Sequence, residues 1–385
     1  MQLATTVSKI IADVQQNGDT AALKYTRQFD YSNIKKLAIS RWQLRQAYKK
    51  ATPQLISALK QAAENITKTQ TAYVPKNVQV SPARGISITR KFIPIDTIGI
   101  YVPGGLAAYP SSVLMAAIPA RLANVKNIIL CSPPSKSGQV SPAVLAACYL
   151  CNIKNVYAIG GAQAIAAMAY GTQTVPKVNK IVGPGSAVVT EAKRQIFGQV
   201  NIDVLAGPSE VVVLADETTN LDWAIADLSA DAEHSPDTKA VLVTTYNKLV
   251  KLPPNLRQVR CRNLKQAIKY INGAAPEHVL VQTTNATSIS VQITQAGTVY
   301  VGPYTSKSSG DYATGANHIL PTGGLAKSFS GVSINTFGRW VEYQTVTKSG
   351  LSSIRQTIKT LAKTEGLPAH VISTNIRFSK DHEKD

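Results

Sequence analysis

From residue 95 onward the chain alternates short β-rich runs with helices of small residues: DTIGIYV, SVLMAAIPARLA, NIILCS, SPAVLAACYLC, NVYAIG, AQAIAAMAY and KIVGPG follow one another. Such alternation predicts a parallel sheet covered by helices, because strands buried on both faces read as apolar runs and need crossovers to return. After a connecting segment, VTEAKRQIFG then IDVLAGPSE, the pattern resumes: EVVVLA, NLDWAIADLSADAEH, KAVLVTT, NLKQAIKYINGA, HVLVQT, TSISVQITQAG, TVYVG. A second α/β layer is the economical reading, and 385 residues suit two domains better than one core. Residues 1–72 read as helices, with apolar residues at three- and four-residue spacing in VSKIIADV, AALKYTRQF, RWQLRQAYKK and PQLISALKQAAENI. From Phe329 a stretch with the helix SSIRQTIKTLAK is too small for a domain and must pack on its own chain or on a partner. The division is a helical segment over 1–94, α/β domains over 95–200 and 201–328, and a helical tail over 329–385.

The net charge of +19 could attract nucleic acid, a membrane surface or an anionic cofactor. The basic residues are spread along the chain, with a mild concentration between Lys248 and Lys269, and no aromatic-interleaved stripe, zinc finger or RNA-recognition motif accompanies them. A solvated surface accounts for the charge, with no specific nucleic-acid partner. No apolar run approaches the ~20 residues of a membrane helix. The first twenty residues lack the basic and apolar regions of a secretory signal, so a cytoplasmic location is expected. Four cysteines, Cys131, Cys148, Cys151 and Cys261, are few for this length and are expected as thiols that fill space.

Four of the five histidines sit in polar, Gly- or Pro-punctuated settings: ADAEHSPD, APEHVLV, GDYATGANHILPTGG and TEGLPAHVIST. Asp231 and His234 are three apart near a helix end, which puts carboxylate and imidazole on one face. Alone, that pair suits a helix-end histidine against the macrodipole at least as well as half a metal site. Glu277 and His278 follow a helix stopped by Asn272-Gly273 and precede a strand, where side chains project into a crevice. Adjacent acid and imidazole suit proton transfer near neutral pH, although a surface turn would read the same. SSGDYATGANHILPTGG offers Asp311 and His318 from an irregular loop. YVPGGLAAYPSS, IVGPGSAVVTEAK and LAGPSEVVV are Gly-Pro loops where backbone can approach a ligand, or tight turns. GxGxxG is absent, so an ordinary Rossmann dinucleotide fingerprint is not present.

Nine of these motifs, YVPGG, GGAQAIAA, VGPG, TEAKRQ, IDVLAGPSE, AEHSPD, PEH, GDYATGANHILPT and EGLPAH, occur in an order that resembles the histidinol dehydrogenase family over nearly the whole chain. The resemblance implies a zinc- and NAD-dependent enzyme that oxidises L-histidinol through the aldehyde to L-histidine, with two hydrides leaving each substrate. It also implies two incomplete Rossmann-like domains in a homodimer, swapped so that the tail of one subunit closes the site of the other. On this sequence the zinc positions are Asp231, His234, Asp311 and His370, the last from a partner subunit. Glu277 and His278 take the acid and base positions. Ser209, His318 and Glu365 line the substrate together with the metal residues and His278, while Tyr101, Gln163 and Ser186 fall where the family meets NAD.

Three departures stand out. Position 231 is Asp where the family usually has Gln, so two carboxylates would neutralise a divalent ion and weaken it as a Lewis acid. Position 186 is Ser where Asn is usual. Some N-terminal residues common in the family are absent, and ENITKTQTAY replaces its usual aromatic-His pattern. The readings left beside the leading one are a zinc- and NAD-dependent dehydrogenase of the same fold for another polar alcohol, and a catalytically silent dimeric homologue.

Overall fold

A computed structural model describes residues 2–30, 33–104, 108–246 and 249–379. Within the YVPGGLAAYPSS loop, residues 105–107 lie outside the described set, as does Lys248 of the basic stretch. The chain separates into one unit of Met1–Val74 with Pro94–Phe337 and another of Pro75–Ile93 with Gly338–Asp385.

The larger unit holds two sheets. In the first, the order is Ala38–Ile39, Asn155–Ala158, Asn127–Ser132, Thr97–Tyr101, Lys180–Val182 and Asn201–Ile202. All pairings are parallel except that of Ala38–Ile39. The second runs Leu256–Arg260, Lys239–Thr244, Glu210–Ala215, His278–Val281, Thr298–Val301, parallel throughout. In both, the first parallel strand in sequence lies beside the fourth, so strand order reverses there and opens a crevice. Burial follows the apolar runs: every residue of Glu210–Ala215 and of His278–Val281 is buried. Helix Gly161–Tyr170 is covered nearly all round, its small residues allowing close approach to helix Gln2–Asp30 and the sheet. The four cysteines are buried thiols. No described helix is long and apolar enough to cross a membrane.

The segment 1–94 is helical only as far as Ala72. Val78–Ala83 and Ile86–Pro94 are antiparallel strands, and Gly338–Val346 joins them as a third. That sheet and the helices Lys348–Thr364 and Pro368–Asn375 make up the smaller unit. Phe92 packs edge-on against Trp340, and the Arg90 guanidinium lies 4.8 Å over the same indole.

Candidate active site

The cluster of titratable groups lies at the amino ends of the central strands of the second sheet. Ser209 immediately precedes Glu210–Ala215, and Glu277 immediately precedes His278–Val281. The helix before Glu277 runs through Asn272-Gly273 to Ala274, and Ala275 turns the chain with a left-handed φ of 47°. Helix Leu221–Ala232 returns antiparallel from the far end of its strand, so its last turn arrives at the same edge. Its start is set by Asn220, whose side chain accepts from the amides of Asp222 and Trp223 at 3.0 and 3.2 Å. Asp227 and Asp231, four residues apart, share the inward face. His234 stands just past the helix, its Nδ1–H donating to the Asp231 carbonyl at 3.0 Å. The ring is 3.7 Å from the Asp231 carboxylate.

Asp311 does not sit in irregular loop. It closes a short helix, Lys307–Tyr312, whose cap Ser306 accepts from the Ser309 amide. The backbone N–H of Lys307 donates to Asp227 Oδ1 at 3.0 Å, and Asp227 Oδ2 accepts from Gln282 Nε2 at 2.6 Å. The Lys307 ammonium therefore lies between two carboxylates, 2.6 Å from Asp231 Oδ1 and 2.7 Å from Asp311 Oδ2. All three side chains are buried, at 4% exposed or less for Lys307 and Asp231 and 8% for Asp311. Burial alone would lower the lysine pKa, but the two carboxylates more than offset it and hold the ammonium charged.

Glu277 and His278 form the second half of the cluster. Glu277 Oε1 is 3.6 Å from His278 Nε2, and Oε2 accepts from the Glu210 amide at 3.2 Å. Burial, followed by the negative charge of Asp231, pushes the Glu277 carboxyl well above the ordinary range. Burial, followed by the positive charge of Lys307, pushes His278 well below its ordinary value. A carboxyl pushed toward its protonated form thus faces an imidazole pushed toward its neutral form. Tyr300 meets the other imidazole nitrogen at 3.2 Å. His318 donates from Nδ1 to the Asp311 carbonyl at 2.9 Å and accepts at Nε2 from Ser112 at 3.2 Å, tying this edge to helix Pro110–Leu122 of the first sheet.

Tyr101, Gln163 and Ser186 each lie at or after the carboxyl end of a strand of the first sheet. Tyr101 ends its strand and accepts through its hydroxyl from the Gly161 amide at 3.1 Å. Gln163, in the first turn of helix Gly161–Tyr170, has a buried Oε1 with no hydrogen-bond partner among the described residues. Ser186 is exposed at the start of helix Ala187–Ile196. The loop between is clamped: Gly183 N donates to Asp203 Oδ2 at 2.7 Å, Lys193 Nζ donates to the Gly183 carbonyl at 3.0 Å, and Lys193 pairs with Asp203. A side chain at Gly183 (φ 127°) would meet the Tyr101 carbonyl at 2.1 Å.

The model of the histidinol dehydrogenase family matches residues 1–253 and 252–378. The chain belongs to the histidinol dehydrogenase family. The histidinol dehydrogenase of Oceanobacillus iheyensis is 39% identical over 99% of this chain and 94% of its own length. That of Methanosarcina mazei is 39% identical over 97% of this chain and 91% of its own. The crystal structure of histidinol dehydrogenase from Elizabethkingia anophelis superposes with a TM-score of 0.92 at 38% identity, covering 98% of this chain and 92% of that one. Family membership makes the chain an oxidoreductase.

Zinc is the metal that the family resemblance implies, and the residues do not fit it as they stand. Asp231 and Asp311 both face the Lys307 ammonium, and among the described residues no three His, Cys, Asp or Glu side chains converge to hold an ion. A divalent cation beside a buried ammonium would meet strong repulsion. His370 and Glu365 belong to the smaller unit: Glu365 caps helix Lys348–Thr364, and His370 lies in helix Pro368–Asn375, both exposed. The His370 carbonyl accepts from Ser373 and Thr374.

Sequence reasoning missed Lys307, Tyr300 and Asp227. A signal existed for the first: Lys307 and Asp311 in SKSSGDY have the four-residue spacing at which opposite charges meet on a helix. Tyr300 and Asp227 sit in ordinary strand and helix patterns, and only folding brings them to the cluster.

Proposed function

We propose that the chain oxidises L-histidinol through L-histidinal to L-histidine, passing one hydride to each of two NAD+ molecules, the closing reaction of histidine synthesis. The observation that carries this reading is the placement of the Glu277 carboxyl 3.6 Å from the His278 imidazole in one buried site. Neutral His278 takes the hydroxyl proton as the first hydride leaves carbon, giving the aldehyde. His278 passes that proton to solvent, Glu277 in its carboxylate form takes a proton from the water that adds to the aldehyde, and the hydrate gives its second hydride to a second NAD+ and its hydroxyl proton to His278. Tyr300 holds the imidazole through its other nitrogen. Ser209 and His318 line the substrate in this reading.

NAD is assigned to the reversal point of the first sheet, against Tyr101, Gln163 and Ser186. Two ten-residue helices, Gly161–Tyr170 and Ala187–Ile196, begin there, and helix amino ends favour phosphate. The free Gln163 Oε1 supports a ligand at that spot. No step is routed through zinc, because Lys307 takes up the carboxylates that the Asp231, His234, Asp311 and His370 set would need. The reading includes a homodimer of Rossmann-like domains in which Glu365 and His370 come from a second copy, Glu365 accepting from the imidazole N–H. Their exposure within the smaller unit supports that supply.

The test is NADH released per L-histidinol by purified protein. Two NADH for each substrate support the reading, and no NAD reduction by a folded dimer sinks it.

A further inference from the structure

We propose that Lys307 is the built-in cation of this site, standing where a divalent ion would stand between Asp231 and Asp311, and that the negative charge left over receives the protonated amine of the substrate. The first half rests on geometry alone, and the second also rests on the amino-alcohol reading above. The ammonium lies 2.6 and 2.7 Å from the two carboxylates, with all three side chains out of water. The lysine starts from a fixed place: its own N–H is held by Asp227, and the Ser306 cap sets the turn that carries it. Two negative charges and one positive leave the cluster at minus one. A zinc ion added to it would leave plus one, with no attraction for a cationic substrate.

The cluster is also one donor short. Asp231 is wholly buried, and its Oδ2 has no hydrogen-bond partner among the described residues. A carboxylate oxygen in that state is costly unless a ligand completes it. An amino alcohol brings one positive charge and three N–H donors, which settles both deficits. The reaction needs no Lewis acid in this arrangement: the hydroxyl proton goes to His278, the C–H electron pair goes to NAD+, and the carbonyl forms between them. Lys307 is then a positioning residue, holding Asp231 and Asp311 at the spacing that takes the amine.

The test uses the full chain, stripped with chelator and titrated with zinc chloride, with retained metal counted after gel filtration. The native chain is expected to retain far less than one zinc. Lys307→Met, which frees both carboxylates, is expected to bind zinc on the order of 100-fold more tightly and approach one per chain. Because two unpaired buried carboxylates can unfold that variant, the double variant Asp231→Gln with Lys307→Met carries the same test with one charge removed. A native chain that holds about one zinc through gel filtration would overturn the proposal. For the amine, L-histidinol is expected to raise the melting temperature of the stripped native chain, and the imidazole alcohol lacking the amine is not. Equal shifts overturn the amine half. No shift from L-histidinol, with zinc still refused, overturns the amine half and the histidinol reading together and leaves Lys307 as the resident cation.

Discussion

Glu277 Oε1 lies 3.6 Å from His278 Nε2, two buried neighbours whose shifts run in inverse directions: the carboxyl is pushed toward its protonated form and the imidazole toward its neutral form. The inversion follows from burial first, then from Asp231 acting on the acid and Lys307 on the imidazole.

If the two residues serve different half-reactions as proposed, their variants separate. His278→Ala should slow L-histidinol oxidation by about a hundred- to ten-thousandfold. Glu277→Gln should fall hardest on L-histidinal oxidation, where water must be activated. Single-turnover NADH formation from each substrate checks both, and an untouched histidinal rate in Glu277→Gln would remove the water-activating role.

His278 also makes stability depend on pH. Its folded value lies below that of the unfolded chain, near 6.5, so the unfolded state binds more protons as pH falls through that window. Its stabilising contribution is complete above about pH 6.5 and is lost as pH falls toward the folded value, with a slope of at most ~1.4 kcal/mol per unit. Urea midpoints from pH 8 to 5 should show a shallower decline in His278→Gln than in the native chain.

Gly310 lets the short helix lie against Tyr300. A Cβ there would fall 2.5 Å from a Tyr300 ring carbon and 2.6 Å from its hydroxyl. Gly310→Ala is expected to cost about 1–3 kcal/mol and to push Tyr300 off His278. Thermal melting reads the first effect, and a lowered kcat with unchanged NAD affinity reads the second.

At the other sheet, Lys193 and Asp203 are 2% and 3% exposed and grip both polar groups of Gly183. Lys193→Met leaves a buried carboxylate unpaired and should cost about 3–5 kcal/mol. If the Gly183–Ser186 turn holds the dinucleotide, the KM for NAD rises more than that for L-histidinol. Equal changes would show the clamp to be structural only.

Much of the architecture was legible before folding. EVVVLA and NIILCS announced strands buried on both faces, and the spacing between them announced the covering helices. Val78–Ala83 was not legible, because all six residues are exposed and no apolar run marks them, while the third strand of its sheet, beyond Ile86–Pro94, is far along the chain at Gly338–Val346. Asp311 was not legible as part of a helix, since Gly-rich composition hides a six-residue helix set by one serine cap. Asp231 and His234 were legible as neighbours, because a helical turn enforces their spacing.

The sequence by itself determined the alternating elements, the family and the supply of carboxylates and imidazoles, all of which depend on residue type and short-range spacing. Tertiary structure alone decided what Asp231 faces. Lys307 comes from a different element than Asp231, and only the return of helix Leu221–Ala232 to the sheet edge sets them 2.6 Å apart. Out of water, that single contact decides the charge of the site, because a buried carboxylate takes its partner from whatever cation the fold brings within reach.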